Sequence, residues 1–195
     1  MKIKDRNITQ WNNLKVNYWG ITKCANSTIK THLWELENKQ QYVSTKDISI
    51  HGVDNLVRLT SKEALQSSNI NFTVVRNPYS RFTSQYRDLV LSRKKVGRRA
   101  HIEDMTINQV LDFLITTCDN QRDVHLKSQC AFVNHNTVKV IHLENLDKEW
   151  FFDFPPPSFK KNITPNQEKI VLTKEQKDCI YRIYENDFLR FGYLK

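Results

Sequence analysis

NFTVVRNPYSRFTSQYRDLVLSR (71–93) decides the fold class. Its first part, NFTVVR (71–76), is a compact β-branched run that reads as a buried strand. The run stops at Asn77-Pro78. Asn offers a side-chain oxygen to the free N–H groups of a helix start, and Pro suits the first helical position because it has no N–H to satisfy. In the stretch that follows, Phe82, Tyr86, Leu89, Val90 and Arg93 fall on one stripe, which predicts a helix over 78–93. A buried strand feeding directly into a helix is half of a β-α-β unit.

The same pattern recurs on both sides. VNYWGITK (16–23) reads as a strand and runs through CANS into STIKTHLWELE, where Ile29, Leu33 and Leu36 mark one helical face. DISIHG (47–52) reads as a second short strand, and residues 56–65 have weak helical character. TINQVLDFLITTC (106–118) is an amphipathic helix with Thr106 as its cap. VKVIHL (138–143) reads as a strand and ENLDKEWF (144–151) as a short helix. In the C-terminal stretch LTKEQKDCIYRIYENDFLRFGY, residues Ile180, Ile183, Tyr184 and Phe188 give a helical apolar face. Strands alternating with helices predict an α/β fold, a parallel sheet flanked by helices, in a single domain over residues 1–195. Trp19, Trp34 and Trp150 are expected in the core, and Pro155-Pro156-Pro157 is expected to act as a stiff connector.

Composition narrows the function. The chain has 195 residues, enough to bury one sizeable core. Gly20, Gly52, Gly97 and Gly192 are the whole glycine supply, which excludes a GxGxxG dinucleotide loop and a GxxxxGKS phosphate loop. No apolar run approaches the roughly 18 residues of a membrane span. The N-terminus shows no apolar signal region, so the expected location is cytoplasmic. Cys24, Cys118, Cys130 and Cys179 are scattered and form no CxxC; reduced thiols are expected, with a Cys118–Cys130 bridge as the alternative. The net charge of +9 predicts anionic partners, and SRKKVGRRAH (92–101) concentrates it in a rim or a solvated loop.

Two strand-to-helix turns could hold such an anion. In Lys23-Cys24-Ala25-Asn26-Ser27-Thr28, a helix N-terminus offers unpaired N–H groups and a positive dipole end. Ser27 and Thr28 add hydroxyls, Lys23 adds a full charge, and an ordinary helix cap is the alternative reading. In Arg76-Asn77-Pro78-Tyr79-Ser80-Arg81-Phe82-Thr83-Ser84, Arg76 ends the buried strand, where a long cation must find an anion or water. Ser84 lies about 200° around the helix from Phe82, away from the core stripe. Arg76 and Ser84 could therefore converge on one phosphate; a local carboxylate for Arg76 and solvent for Ser84 is the alternative.

Together the two turns resemble the carbohydrate sulfotransferases that use 3′-phosphoadenosine-5′-phosphosulfate (PAPS), most closely the chondroitin 4-O- and heparan sulfate 2-O-sulfotransferase group. ITKCANSTIK fits that family's 5′-phosphosulfate loop, and VVRNPYSRFTSQYRD fits its Arg-x-Pro-x-x-Arg-x-x-Ser block for the 3′-phosphate. His125-Leu-Lys-Ser-Gln129, VKVIHLENLDKEW and YENDFLRFGY resemble later blocks, so the likeness covers residues 16–192. It implies a P-loop-like sulfotransferase fold and sulfuryl transfer from PAPS to a carbohydrate hydroxyl without a metal. By the same resemblance, Lys23 stabilises the bridging oxygen of the leaving phosphate. The stretch Cys24, Ala25, Asn26, Ser27 and Thr28 holds the 5′-phosphate and sulfate, and Arg76 and Ser84 hold the 3′-phosphate. His51, in ISIHGVDN, resembles a His-Gly stretch of the heparan sulfate enzyme and is the first choice for general base, although Val53 stands where that relative has a second histidine. His125 is the second choice. Lys160-Lys161-Asn162 sits where a basic loop closes over the nucleotide in sulfotransferases.

The alternatives belong to other classes. A basic nucleic-acid-binding module would use the +9 charge, but no zinc-finger, RNP or helix-turn-helix pattern accompanies it. A small nucleotide kinase would need a Gly-rich loop and magnesium-binding carboxylates. The acceptor, an acidic glycan or another alcohol, is left open.

Overall fold

The computed structural model describes residues 7–43, 50–53, 56–92, 100–158 and 170–195. They fall into two compact units, each interrupted in sequence: a sheet unit of residues 3–75 and 135–166, and a helical unit centred on residues 76–134 and 167–195.

The sheet unit is built on strands β1 (Ile8–Trp11), β2 (Val16–Trp19), β3 (Val57–Leu59), β4 (Ile70–Val75) and β5 (Lys139–His142), in the order β3-β1-β2-β4-β5. Strands β2, β4 and β5 are parallel, with Tyr18 opposite Phe72 and Val75 opposite His142. β1 runs antiparallel to both β2 and β3, so the sheet is mixed rather than parallel throughout. The expected all-parallel sheet is corrected at this edge. β1 is four residues in a polar context, and β3 is three residues with two of them exposed, so neither carries a readable hydrophobic period. A four-residue hairpin loop joins β1 to β2, with Lys15 in the left-handed region (φ 55) and its N–H donating to the Asn12 carbonyl.

Helix α1 (Asn26–Asn38) lays Ile29 and Leu33 on Val16, Tyr18, Phe72, Val74 and Ile141. Fully burying each such side chain is worth about 1.5–3 kcal/mol. Trp19 is buried, and Trp34 and Trp150 pack half-buried against the same core, as expected of them. On this sheet the side chains of Asn17 and Asn71, opposite each other on β2 and β4, tie the strands to the end of helix α2 (Ser61–Gln66). Asn17 Nδ2 donates to Ser67 Oγ at 2.7 Å, Asn71 Nδ2 to the Ala64 carbonyl at 3.0 Å, and Trp19 Nε1 to Asn71 Oδ1 at 2.9 Å. Residues 47–49 of the expected second strand lie outside the described residues, and Ile50–Gly52 form a single 3₁₀ turn rather than a strand. The weak helical signal over 56–65 resolves into the edge strand β3 and the capped helix α2.

The helical unit contains α3 (Pro78–Tyr86), which passes into a π-helical segment at Arg87–Ser92, then α4 (Ile107–Thr116). In the sheet unit, α5 (Leu146–Glu149) follows β5 through a 3₁₀ turn at Leu143–Asn145. The C-terminal stretch forms two helices, α6 (Lys174–Ile183) and α7 (Glu185–Phe191). They break at Tyr184, whose hydroxyl donates to the Leu126 carbonyl at 2.8 Å. Phe82, Leu89, Val110, Leu114, Ile180, Tyr184 and Phe188 form this unit's core. Thr106 caps α4 and Thr173 caps α6, each accepting from the N–H three residues on. All four cysteines are free thiols, so the alternative Cys118–Cys130 bridge is not made. Among the described residues no helix is long and apolar enough to cross a membrane.

Candidate functional site

In the sheet unit, β2 ends at Trp19 and the chain turns through residues 20–25 into α1. The turn is tight at Gly20, where a Cβ would meet Asn26 Oδ1 at 2.4 Å. A side chain here would force Asn26 to give way. Lys23 (φ 65) and Ala25 (φ 55) both adopt left-handed backbone, at a cost of order 1–2 kcal/mol for each non-glycine residue. Cys24 between them is fully buried and anchors the loop. The Cys24 N–H donates to the Ile21 carbonyl at 3.3 Å, which closes the turn just ahead of the helix start. Ala25 occupies the N-cap of α1 and has no side chain to cap it, and the first turn carries no acidic residue. Among the described residues, no acidic side chain of the helix's own first turn offsets its positive end.

Ser27 is exposed in the first turn, and its Oγ lies 2.8 Å from Nε2 of His51. The His51 carbonyl accepts from Arg58 of β3 at 2.6 Å, which fixes the 3₁₀ turn that presents the ring. A hydroxyl at hydrogen-bond distance from an imidazole is an arrangement through which a proton can pass. The expected base and the expected phosphosulfate loop therefore meet at Ser27. One residue here was missed at the sequence level. Lys30, one turn beyond Asn26, is only 4% exposed. Burial, and then repulsion from Arg58, pushes its amine down from 10.5 to about 8. Burial of a lysine depends on what packs over it and leaves no mark in local sequence.

In the helical unit, Asn77 caps α3 as its sequence predicts: Oδ1 accepts from the N–H of Tyr79 at 3.0 Å and of Ser80 at 3.4 Å, and Pro78 opens the helix. Arg76 is held through its backbone. Its N–H donates to Gln129 Oε1 at 2.9 Å, and its carbonyl accepts from Gln129 Nε2 at 2.8 Å. The Arg76 Nε donates to Ser80 Oγ at 3.0 Å. Ser80 and Ser84 are one helical turn apart and share a face of α3. Arg76, Ser80 and Ser84 thus run along one side of the helix start, and Ser80 joins the pair expected from sequence.

His125, the second choice of base, belongs to this helical unit. Its Nδ1 lies 2.7 Å from Asp123 Oδ1. Burial would raise the Asp123 carboxyl, but hydrogen bonds from the His125 ring and backbone hold it below its usual range. In the sheet unit, His142 is likewise bound to Glu149 at 2.9 Å, and His32 to the Pro155 carbonyl at 2.7 Å. The basic stretch over 93–99 and Lys160-Lys161-Asn162 lie outside the described residues.

No curated protein matches the chain, and no solved structure does. The model of the sulfotransferase family matches residues 6–194, nearly the whole sequence, including the 20–28 loop and the Arg76–Ser84 block. The chain belongs to the sulfotransferase family.

Proposed function

We propose that this protein transfers the sulfuryl group of PAPS to a hydroxyl of a carbohydrate acceptor, and that residues 1–195 act as one P-loop-like sulfotransferase domain. The observation that carries the reading is the Ser27–His51 contact of 2.8 Å at a helix start with no side-chain cap and no acidic residue in its first turn. It supports a reading in which His51 serves as base next to the helix start that would hold the sulfate. PAPS brings a sulfate already activated as a mixed anhydride with phosphate, so the protein's task is positioning and charge stabilisation.

In this reading the backbone of Cys24, Ala25, Asn26, Ser27 and Thr28 cradles the 5′-phosphate and sulfate, with the Ser27 and Thr28 hydroxyls as further donors. Arg76 and Ser84, with Ser80 beside them, take the 3′-phosphate. As the Ser27 hydroxyl turns from His51 Nε2 to the sulfate, Nε2 becomes open to accept the proton of the acceptor hydroxyl while the acceptor oxygen forms the new bond to sulfur. The bond from sulfur to the bridging oxygen breaks in line, and the Lys23 ammonium offsets the charge that builds on the departing phosphate oxygen. The products are the sulfate ester and adenosine 3′,5′-bisphosphate. No step is assigned to a metal. The net charge of +9 favours an acidic acceptor.

Calorimetry with adenosine 3′,5′-bisphosphate, 5′-AMP and ATP with magnesium tests the donor. Tight binding that needs the 3′-phosphate and no magnesium is expected, followed by transfer of labelled sulfate to acceptors from a glycan panel. A preference for ATP with magnesium would overturn the reading.

A further inference from the structure

The helical unit spends an unusual amount of buried polarity on residues 126–130. The Leu126 carbonyl is held by the Tyr184 hydroxyl, and the Lys127 carbonyl by Arg81 at 2.9 Å. The Lys127 ammonium sits on the carbonyls of Asp119 and Asn120 at 3.0 and 2.7 Å. Ser128 gives its N–H and its hydroxyl to the two carboxylate oxygens of Asp119, at 2.8 and 3.0 Å. The fully buried carboxylate of Asp187, on α7, then accepts the next two backbone N–H groups: Gln129 at 2.8 Å and Cys130 at 2.9 Å.

Every residue of the segment is therefore pinned. Burying a carboxylate, an ammonium and a guanidinium costs stability unless each is fully hydrogen-bonded, and such networks hold one geometry when they are complete. The side chain that emerges is Gln129, itself fully buried. It spends both its amide oxygen and its amide nitrogen on one residue, the backbone of Arg76. The two hydrogen bonds hold the two peptides that flank the Arg76 Cα, and with them the root of the arginine whose Nε meets Ser80.

We infer that Asp187 and Gln129 are positioning residues: Asp187 sets the 129–130 peptides, Gln129 sets Arg76, and the pair tunes selectivity for nucleotides with a 3′-phosphate. The inference rests on the reading of Arg76 as a 3′-phosphate ligand. Neither residue touches the nucleotide in this account. A loss of their hydrogen bonds therefore weakens recognition of the 3′-phosphate, not of the rest of the molecule.

The test is the ratio of the dissociation constants for 5′-AMP and adenosine 3′,5′-bisphosphate, measured by calorimetry on the full chain. The variants are Asp187→Asn, Gln129→Met and Arg76→Ala, with Leu111→Ala as a control that loosens the core of α4. Asp187→Asn turns one acceptor into a donor facing a backbone N–H; Gln129→Met keeps the shape and removes both bonds to Arg76. Displacing a positioning group can cost on the order of 10²-fold. The ratio is expected to fall at least about tenfold in both variants, toward the Arg76→Ala value, and to stay at the wild-type value in Leu111→Ala. A wild-type ratio retained in folded Gln129→Met overturns the inference, as does an equal fall in Leu111→Ala. Should Asp187→Asn not fold, Gln129→Met decides, because it leaves Asp187 and its two backbone partners in place. A wild-type ratio near one would instead refute the assignment of Arg76 itself, a separate outcome.

Discussion

Lys30→Met stabilises the protein at neutral pH, and the gain shrinks as the solution becomes alkaline. The amine is 4% exposed, and burial followed by repulsion from Arg58 lowers it from 10.5 to about 8. Between those two values the unfolded chain binds a proton that the folded chain does not, so wild-type stability rises with pH across that window. Below about 8 the folded protein carries the whole cost of a buried cation. A shift of this size corresponds to about 3 kcal/mol at pH 7 and about 1 kcal/mol at pH 10. Methionine keeps the length and apolar stem without the charge. For a chain of this size the neutral-pH gain raises the melting temperature by roughly 6–12 °C. Urea denaturation of both proteins at pH 7 and pH 10 reads the difference directly, since other titrations cancel between them. A gain that is the same at both pH values, or a loss of stability at pH 7, would refute the claim that Lys30 is buried against a cation.

Arg76→Ala and Ser84→Ala each weaken binding of adenosine 3′,5′-bisphosphate by about tenfold or more, the worth of a charge-assisted hydrogen bond, with unchanged circular dichroism; unaltered affinity in both would remove the 3′-phosphate assignment. Lys23→Ala lowers kcat by about 10²–10³-fold with little change in donor affinity, and a fully active variant would rule out its role at the leaving oxygen. His51→Asn lowers kcat by about 10²–10⁴-fold and abolishes the ascending limb of the pH–rate profile; if that limb persists, His125→Asn is the variant expected to remove it. Gly20→Ala drives a methyl into Asn26 Oδ1 and destabilises the protein by about 1–3 kcal/mol in urea denaturation, and an unperturbed midpoint would show that the loop yields easily.

What was legible in the sequence is what depends on neighbours along the chain. The end of β4 and the start of α3 at Asn77-Pro78 follow from a side chain reaching N–H groups two and three residues away. The same holds for the Thr106 cap and for the buried face of α1, set by its helical period. Antiparallel β1 and β3 were not legible, because short strands are specified by the partner they pair with and not by their own period. Tertiary structure alone placed His51 against Ser27, 24 residues apart, and Gln129 against Arg76, 53 apart. It also buried Lys30 and made Asp187 a holder of backbone N–H groups. The physical reason is the same in each case. Capping and helical periodicity are satisfied within a turn of chain. Burial of a charge, and the partner of a buried amide, are settled only when distant segments close over them and exclude water.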